Sequence, residues 1–86
     1  MLDFKSEEEL TQMEKEGDKL RASRNYSQAE RIYKRVARER RELLGDFHHD
    51  TLNAEISRVT TFFRRGEYRE AKQMYAAIVA KSTRSD

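Results

Sequence analysis

Two stretches of this 86-residue chain match when the sequence is shifted by 42 residues. NYSQAERIYKRVA, which begins at Asn25, lies over EYREAKQMYAAIV, which begins at Glu67. The shift places Tyr26 on Tyr68, Ala29 on Ala71, Ile32 on Met74, Tyr33 on Tyr75, Val36 on Ile78 and Ala37 on Val79. The matched side chains recur at the spacing of one helical face, which predicts a duplicated helical hairpin.

Sparse helix breakers allow long helices, and the chain has room for four. Proline is absent and glycine occurs only at positions 17, 45 and 66, so few positions end a helix. Ser6 and Glu9 have the spacing of a capping box, which predicts a first helix that runs to about Ser23. The second helix is expected from Tyr26 to a left-handed cap at Gly45.

The third helix is expected to start from a cap at Asp50 or Thr51 and to end before Gly66. The fourth is expected to start near Tyr68 and to be followed by a polar tail, 83–86. Each of the last three helices has a predicted inward stripe of apolar residues. In the second helix the stripe is Tyr26, Ala29, Tyr33, Val36, Ala37 and Leu44. In the third it is Leu52, Ile56, Val59, Phe62 and Phe63, and in the fourth it is Ala71, Tyr75, Ile78 and Val79. The solvent-facing side of the second helix is predicted to hold Glu30, Lys34, Arg35, Arg38, Glu39 and Arg41.

Charge and composition favour a solvated helical protein of the cytoplasm. Charged residues make up 40% of the chain, but 18 basic against 16 acidic side chains leave a net charge of only +2. Cysteine is absent, which excludes a disulfide framework and a cysteine-based zinc site. The start of the chain does not resemble a signal peptide, and no apolar run approaches the roughly 18 residues that cross a bilayer, so we expect no membrane association.

Motifs for catalysis, cofactors or metals are weak or absent. His48-His49-Asp50 offers possible metal ligands, but adjacent histidines on a short loop point in different directions and no other histidine exists. Glu14 and Asp18 share a helical face, a pairing that a highly charged helical protein makes by chance. We therefore expect no enzyme activity, no cofactor and no metal site.

The chain resembles the tetratricopeptide repeat family. Gly66-x-Tyr68-x-x-Ala71-x-x-x-Tyr75 is similar to the signature of that repeat, and the 42-residue spacing resembles the long variant found in kinesin light chains. The connection between the matched stretches resembles the family's connection at Leu44, Gly45, His48, Asp50, Thr51 and Leu52. The resemblance implies an all-α single domain, 1–86, of two tandem hairpins with four antiparallel helices, an α-solenoid fragment with repeat 1 at about 6–45 and repeat 2 at about 50–82.

The sequence departs from the family's pattern at positions that bear on binding. His49 replaces the usual proline, and Ile56-Ser57-Arg58 replaces the asparagines and leucine that often contact a bound peptide. The carboxylate clamp of chaperone-binding members needs lysine and asparagine where this chain has Glu14, Asp18 and Ser57. We therefore predict that this chain lacks the carboxylate clamp.

The family's usual orientation would turn Glu55 and Arg58 of the third helix toward its partner helix, and Ile56 and Phe63 toward the concave groove. Burying unpaired charge costs several kcal/mol. The third helix is therefore either rotated so that Ile56 and Phe63 are buried, or its groove is apolar and covered. An ion pair between Glu16 and Arg58 would ease the usual orientation.

The resemblance implies a protein-interaction or assembly adaptor that binds a peptide or another subunit. The predicted concave contacts are Thr11, Glu14, Asp18, Arg21, Asn53, Ile56, Thr60, Phe63 and Arg64. Because repeat arrays usually need three or more units, we expect a homodimer, unless the chain is a piece of a longer array. The exposed side of the fourth helix is the first candidate for its face, and the apolar groove of the third helix is the other. The predicted self-association residues are Met74, Ala77 and Ile78.

A basic helical binder of nucleic acid or of an anionic surface is the alternative. Its contacts would come from the run Arg35, Arg38, Arg40 and Arg41, and its affinity would fall steeply as salt rises. Glu30, Glu39 and Glu42 interrupt that run. A nucleic-acid partner is therefore the less favoured expectation.

Overall fold

The computed structural model describes residues 6–83, which fold into helices joined by short turns. Helix α1 spans Glu7–Ala22, α2 spans Tyr26–Leu44, α3 spans His49–Arg64 and α4 spans Tyr68–Ser82. The prediction of an all-α fold with four helices is confirmed. Residues 84–86 of the predicted polar tail lie outside the described residues. Over the described range, no helix combines the length and apolar character needed to cross a membrane.

α1 begins at the capping box that its sequence predicts. Ser6 Oγ accepts a hydrogen bond from Glu9 N at 3.2 Å, and Ser6 N donates to Glu9 Oε1 at 2.8 Å. Both N–H groups would otherwise lack a partner at the helix start. At the other end, Arg24 adopts a φ of 68°, and Asn25 N donates back to Leu20 O at 2.8 Å. This left-handed closing turn reverses the chain into α2.

The connection between α2 and α3 differs from the expectation at both of its ends. Gly45 has a φ of 99° but a ψ of 161°. It therefore ends α2 in an extended, positive-φ conformation that glycine adopts readily, and not in a left-handed helical cap. His48, and not Asp50 or Thr51, caps α3, because its Nδ1 accepts from Asp50 N at 3.1 Å. The buried Thr51 hydroxyl instead donates to Gly45 O at 2.9 Å and ties α3 to the end of α2.

The helices pack in chain order, α1 on α2, α2 on α3 and α3 on α4. One core cluster joins Leu10 of α1 to Val36 and Ala37 of α2 and to Ala54 of α3. A second joins α3 to α4 through Val59, Ala71 and Ile78. α3 therefore contributes to both cores and links the two hairpins.

Several residues lie on the opposite side from the one predicted. Tyr75 and Val79 were expected inside but are 53% and 40% exposed. Of the two orientations left open for α3, the structure has the one that exposes Ile56 and Phe63, at 39% and 57%. Glu39 was expected in solvent but is buried and lies 2.7 Å from Arg35 in an ion pair. The physical reason on α3 is that its inward side is charged, so the apolar residues beside those charges are turned outward.

Candidate functional site

α3 turns a charged face toward α2 and is held there by ion pairs. Glu55 is buried, with Oε2 2.8 Å from Arg41 Nη2 and Oε1 3.1 Å from Lys81 Nζ of α4. Arg58 Nε donates to Glu30 Oε2 at 2.6 Å. The hydrogen bond to Glu55 raises the pKa of Arg41. Because each inward charge meets an opposite charge, α3 keeps the orientation that unpaired charges would forbid.

The ion pair predicted between Glu16 and Arg58 does not form, and that prediction is wrong. Arg58 pairs with Glu30 of α2 instead, and Glu16 lies exposed on α1. The reason is that α3 packs against α2 and α4, which brings the Arg58 side chain within reach of Glu30.

The outward side of α3 and the adjoining side of α4 form an apolar groove with a volume of about 590 Å³. We call this the α3–α4 groove; it is lined by Ile56, Val59, Thr60, Phe63, Arg64, Ala71, Lys72 and Tyr75. The Phe63 ring meets the edge of the Tyr68 ring at a centroid distance of 5.0 Å, which extends the aromatic surface. A contiguous exposed apolar patch of this kind marks a site of interaction more often than a bare solvent face.

Three of the predicted concave residues lie in a separate, polar groove. Thr11, Glu14 and Asn53 line this α1–α3 groove together with Arg40. Arg40 is buried, and it donates to Glu14 Oε1 at 3.1 Å and to Asp50 O at 3.4 Å. Burial acts to lower the pKa of Arg40, but the hydrogen bond and charge of Glu14 outweigh it, so the pKa is raised. The groove therefore has a permanent positive charge at its base and carboxylates on its wall.

Asp18 and Arg21, also predicted concave contacts, hold helices together. The buried Tyr33 hydroxyl donates to the Asp18 carboxylate; burial, with this hydrogen bond, raises the pKa of Tyr33 above its ordinary value of 10.0. Arg21 Nη1 donates to Ser57 O at 3.3 Å, and its guanidinium lies 5.3 Å from the centroid of the Tyr33 ring. The predicted concave set is thus divided between two grooves and a packing contact.

Of the predicted self-association residues, Ala77 is exposed and Met74 is half-buried, whereas Ile78 is buried. Met74, Ala77 and Ile78 line a groove of about 270 Å³ between α2 and α4. Ile78 is only 5% exposed, because it packs in the core between α3 and α4, and the expectation that it lies on an exposed side is wrong. The sequence reasoning missed Tyr75 and Val79 as exposed surface, and their matches Tyr33 and Ala37, which are both buried, gave no signal of it.

The basic run considered for nucleic acid is largely neutralised by carboxylates of the same chain. Arg35 pairs with Glu39, Arg40 with Glu7 and Glu14, and Arg41 with Asp46 and Glu55. Arginines held in this way offer less charge to a phosphate backbone than a bare run would. The geometry does not favour the nucleic-acid alternative.

His48, His49 and Asp50 bring their possible ligand atoms within 4.8 Å of one another. His48 Nδ1 already accepts the Asp50 N–H, and His49 Nδ1 lies 3.1 Å from Asp50 Oδ1. The two rings stack at a centroid distance of 4.8 Å. Capping of α3 accounts for this arrangement without a bound ion.

A family model described as tetratricopeptide repeat matches residues 20–50. That range contains all of α2 and the connection to α3. Comparisons with curated proteins and with solved structures gave no match.

Proposed function

We propose that this chain, whose residues 20–50 match a family model described as tetratricopeptide repeat, is a protein-interaction module that captures a helical protein segment in the α3–α4 groove. Its activity is binding and assembly rather than catalysis. Repeats of this family generally mediate interactions between proteins.

The observation that carries the proposal is the exposure of large apolar side chains around one groove. Ile56, Phe63 and Tyr75 line it, and each is at least 39% exposed. Aromatic side chains that become fully desolvated on binding contribute most of the affinity at protein interfaces. An amphipathic helix laid into the groove would cover all three residues with its apolar face.

The rim of the groove adds a preference for acidic ligands. Arg64 and Lys72 border the apolar floor, and basic residues on a rim steer and align an oppositely charged partner. We expect ligands with an apolar stripe and at least one flanking carboxylate. Residues Thr11, Glu14 and Asn53 in the polar α1–α3 groove would contact only a ligand that extends beyond the α3–α4 groove.

The proposal is tested by selecting helical peptides from a displayed library on the immobilised protein and measuring their affinity for a Phe63→Ser variant. We expect selected peptides to bind the variant at least about tenfold more weakly, because truncation of a central aromatic anchor costs more than about 1 kcal/mol.

Phe47→Ser is the matched control, because Phe47 is 56% exposed, almost the same as Phe63 at 57%, but lies outside the groove. Thermal unfolding of both variants would verify that they fold. Peptides that bind all three proteins equally, or a library that yields no ligand, would count against the groove as a binding site.

A further inference from the structure

One side of the first hairpin, α1 and α2, is covered by α3. The 42-residue shift identifies the corresponding side of the second hairpin, α3 and α4. Ala37 of α2 packs in a cluster with Ala54 of α3 and is 3% exposed. Its match on α4, Val79, is 40% exposed. Within the described residues, no helix lies on α4 as α3 lies on α2.

Four of the first-hairpin residues that contact α3 have exposed counterparts on the second hairpin. Arg21 donates to Ser57 O, Glu30 pairs with Arg58, Ala37 packs with Ala54 and Arg41 pairs with Glu55. Their counterparts are Phe63, Lys72, Val79 and Thr83. The second hairpin therefore presents the same docking positions with different side chains.

At one of these positions, the side chains of the two hairpins carry opposite charges. Glu30 accepts Arg58 of the incoming α3 at 2.6 Å, whereas its counterpart is Lys72. A helix that docks on the second hairpin as α3 docks on the first must therefore carry a carboxylate where α3 carries Arg58.

The helix α1 of the same sequence carries that carboxylate. The position matched to Arg58 by the shift is Glu16. Glu16 and Lys72 are both exposed, and neither is in an ion pair with any residue of the described range 6–83.

The same register places the neighbouring residues of α1 over the C-terminal half of α4. Gln12 matches Ala54 and Met13 matches Glu55, so these two residues would lie over the exposed Val79 and Thr83. The pairing of Glu16 with Lys72 therefore places opposite charges across the contact, which favours association of copies over repulsion.

We propose that the α3–α4 groove binds α1 of a second copy of this chain, in the orientation of α3 on the first hairpin, with Glu16 of one copy paired with Lys72 of the other. The inference rests on the proposed function of this groove and names its partner. Because the two surfaces in contact are different, a pair of copies keeps one free α3–α4 groove and one free α1 surface. Such a contact extends into a head-to-tail chain unless the rotation between copies closes a ring.

The test is sedimentation velocity over a concentration series with the variants Lys72→Glu and Glu16→Lys. The wild type is expected to show an average mass that rises with concentration and falls as salt screens the pair. Each single variant places like charges opposite each other, and we expect about tenfold weaker association. Arg31→Glu makes the same charge change at an exposed site of α2 outside the groove, and it should behave as the wild type does.

Mixing the two single variants is the decisive measurement. The carboxylate introduced by Lys72→Glu in one protein then faces the ammonium group introduced by Glu16→Lys in the other. The remaining surfaces form the native pair, so association should return to about the wild-type level. The double variant should also associate by itself.

A wild type that stays monomeric, a dimer insensitive to Glu16→Lys, or a mixture that stays dissociated would each overturn the proposal. If the wild type is monomeric but its groove still selects peptides, this inference fails and the proposed function stands.

Discussion

Gly17 is the residue at which α1 comes closest to α2. A Cβ atom at this position would lie 3.0 Å from Tyr33 Cε1 and 3.3 Å from Ile32 Cγ2. The Tyr33 ring is fully buried, with its hydroxyl on Asp18 and the Arg21 guanidinium over its face. A ring held on three sides cannot move aside, so only glycine fits this contact without strain.

Gly17→Ala should therefore lower the free energy of unfolding. Crowding in a packed interior costs about 1–3 kcal/mol, whereas replacing glycine by alanine inside a helix contributes about 1 kcal/mol of stability. We expect a net loss of about 1 kcal/mol in urea unfolding, and a smaller loss in a Tyr33→Phe background, where the ring is released from Asp18. Lys15→Ala, at an exposed site of the same helix, is the control. A Gly17→Ala variant more stable than the wild type would contradict this prediction, because it would mean that the Tyr33 ring moves aside for the added methyl group.

α3 is the element that determines the site, because its orientation decides which side chains are available for binding. Its inward ion pairs, above all Arg58 with Glu30, leave Ile56 and Phe63 on the surface. Were α3 rotated to bury those apolar residues, the α3–α4 groove would lose its floor.

A double-mutant cycle on Glu30 and Arg58 measures how strongly this orientation is held. With Glu30→Gln and Arg58→Gln, we expect a coupling energy of about 1 kcal/mol, because both side chains are largely shielded from solvent. The same cycle on Glu16 and Arg58 should give a coupling within about 0.5 kcal/mol of zero, since these residues do not meet. Coupling between Glu16 and Arg58 instead would contradict the observed packing of α3.

Periodicity and the internal repeat were sufficient to predict the four helices, because helix formation depends on local spacing and capping. They did not predict the face of α3, since Glu55 and Ile56 are neighbours and only the positions of Arg41 and Lys81 decide which is buried. Tyr75 was misplaced for a related reason. Its match, Tyr33, is buried against Gly17, whereas the position matched to Gly17 is Val59, which leaves no comparable space.

At the scale of the whole molecule, the two hairpins share one architecture but differ in what covers them. The first is covered by α3, whereas no helix within residues 6–83 covers the matching side of the second. Each unit of a repeat array leaves a face for its neighbour. The α3–α4 groove is that face here, and its occupation by another protein molecule is the central claim.

The most direct test is an amide NMR dilution series on the isotopically labelled wild type. The account predicts concentration-dependent shifts at Phe63, Lys72 and Val79 and, in the same range, at Met13 and Glu16 on the outer side of α1. Phe47, which is equally exposed but belongs neither to the α3–α4 groove nor to α1, should not shift. Spectra that stay constant from micromolar to millimolar protein, or shifts confined to residues outside the α3–α4 groove and α1, would contradict the claim.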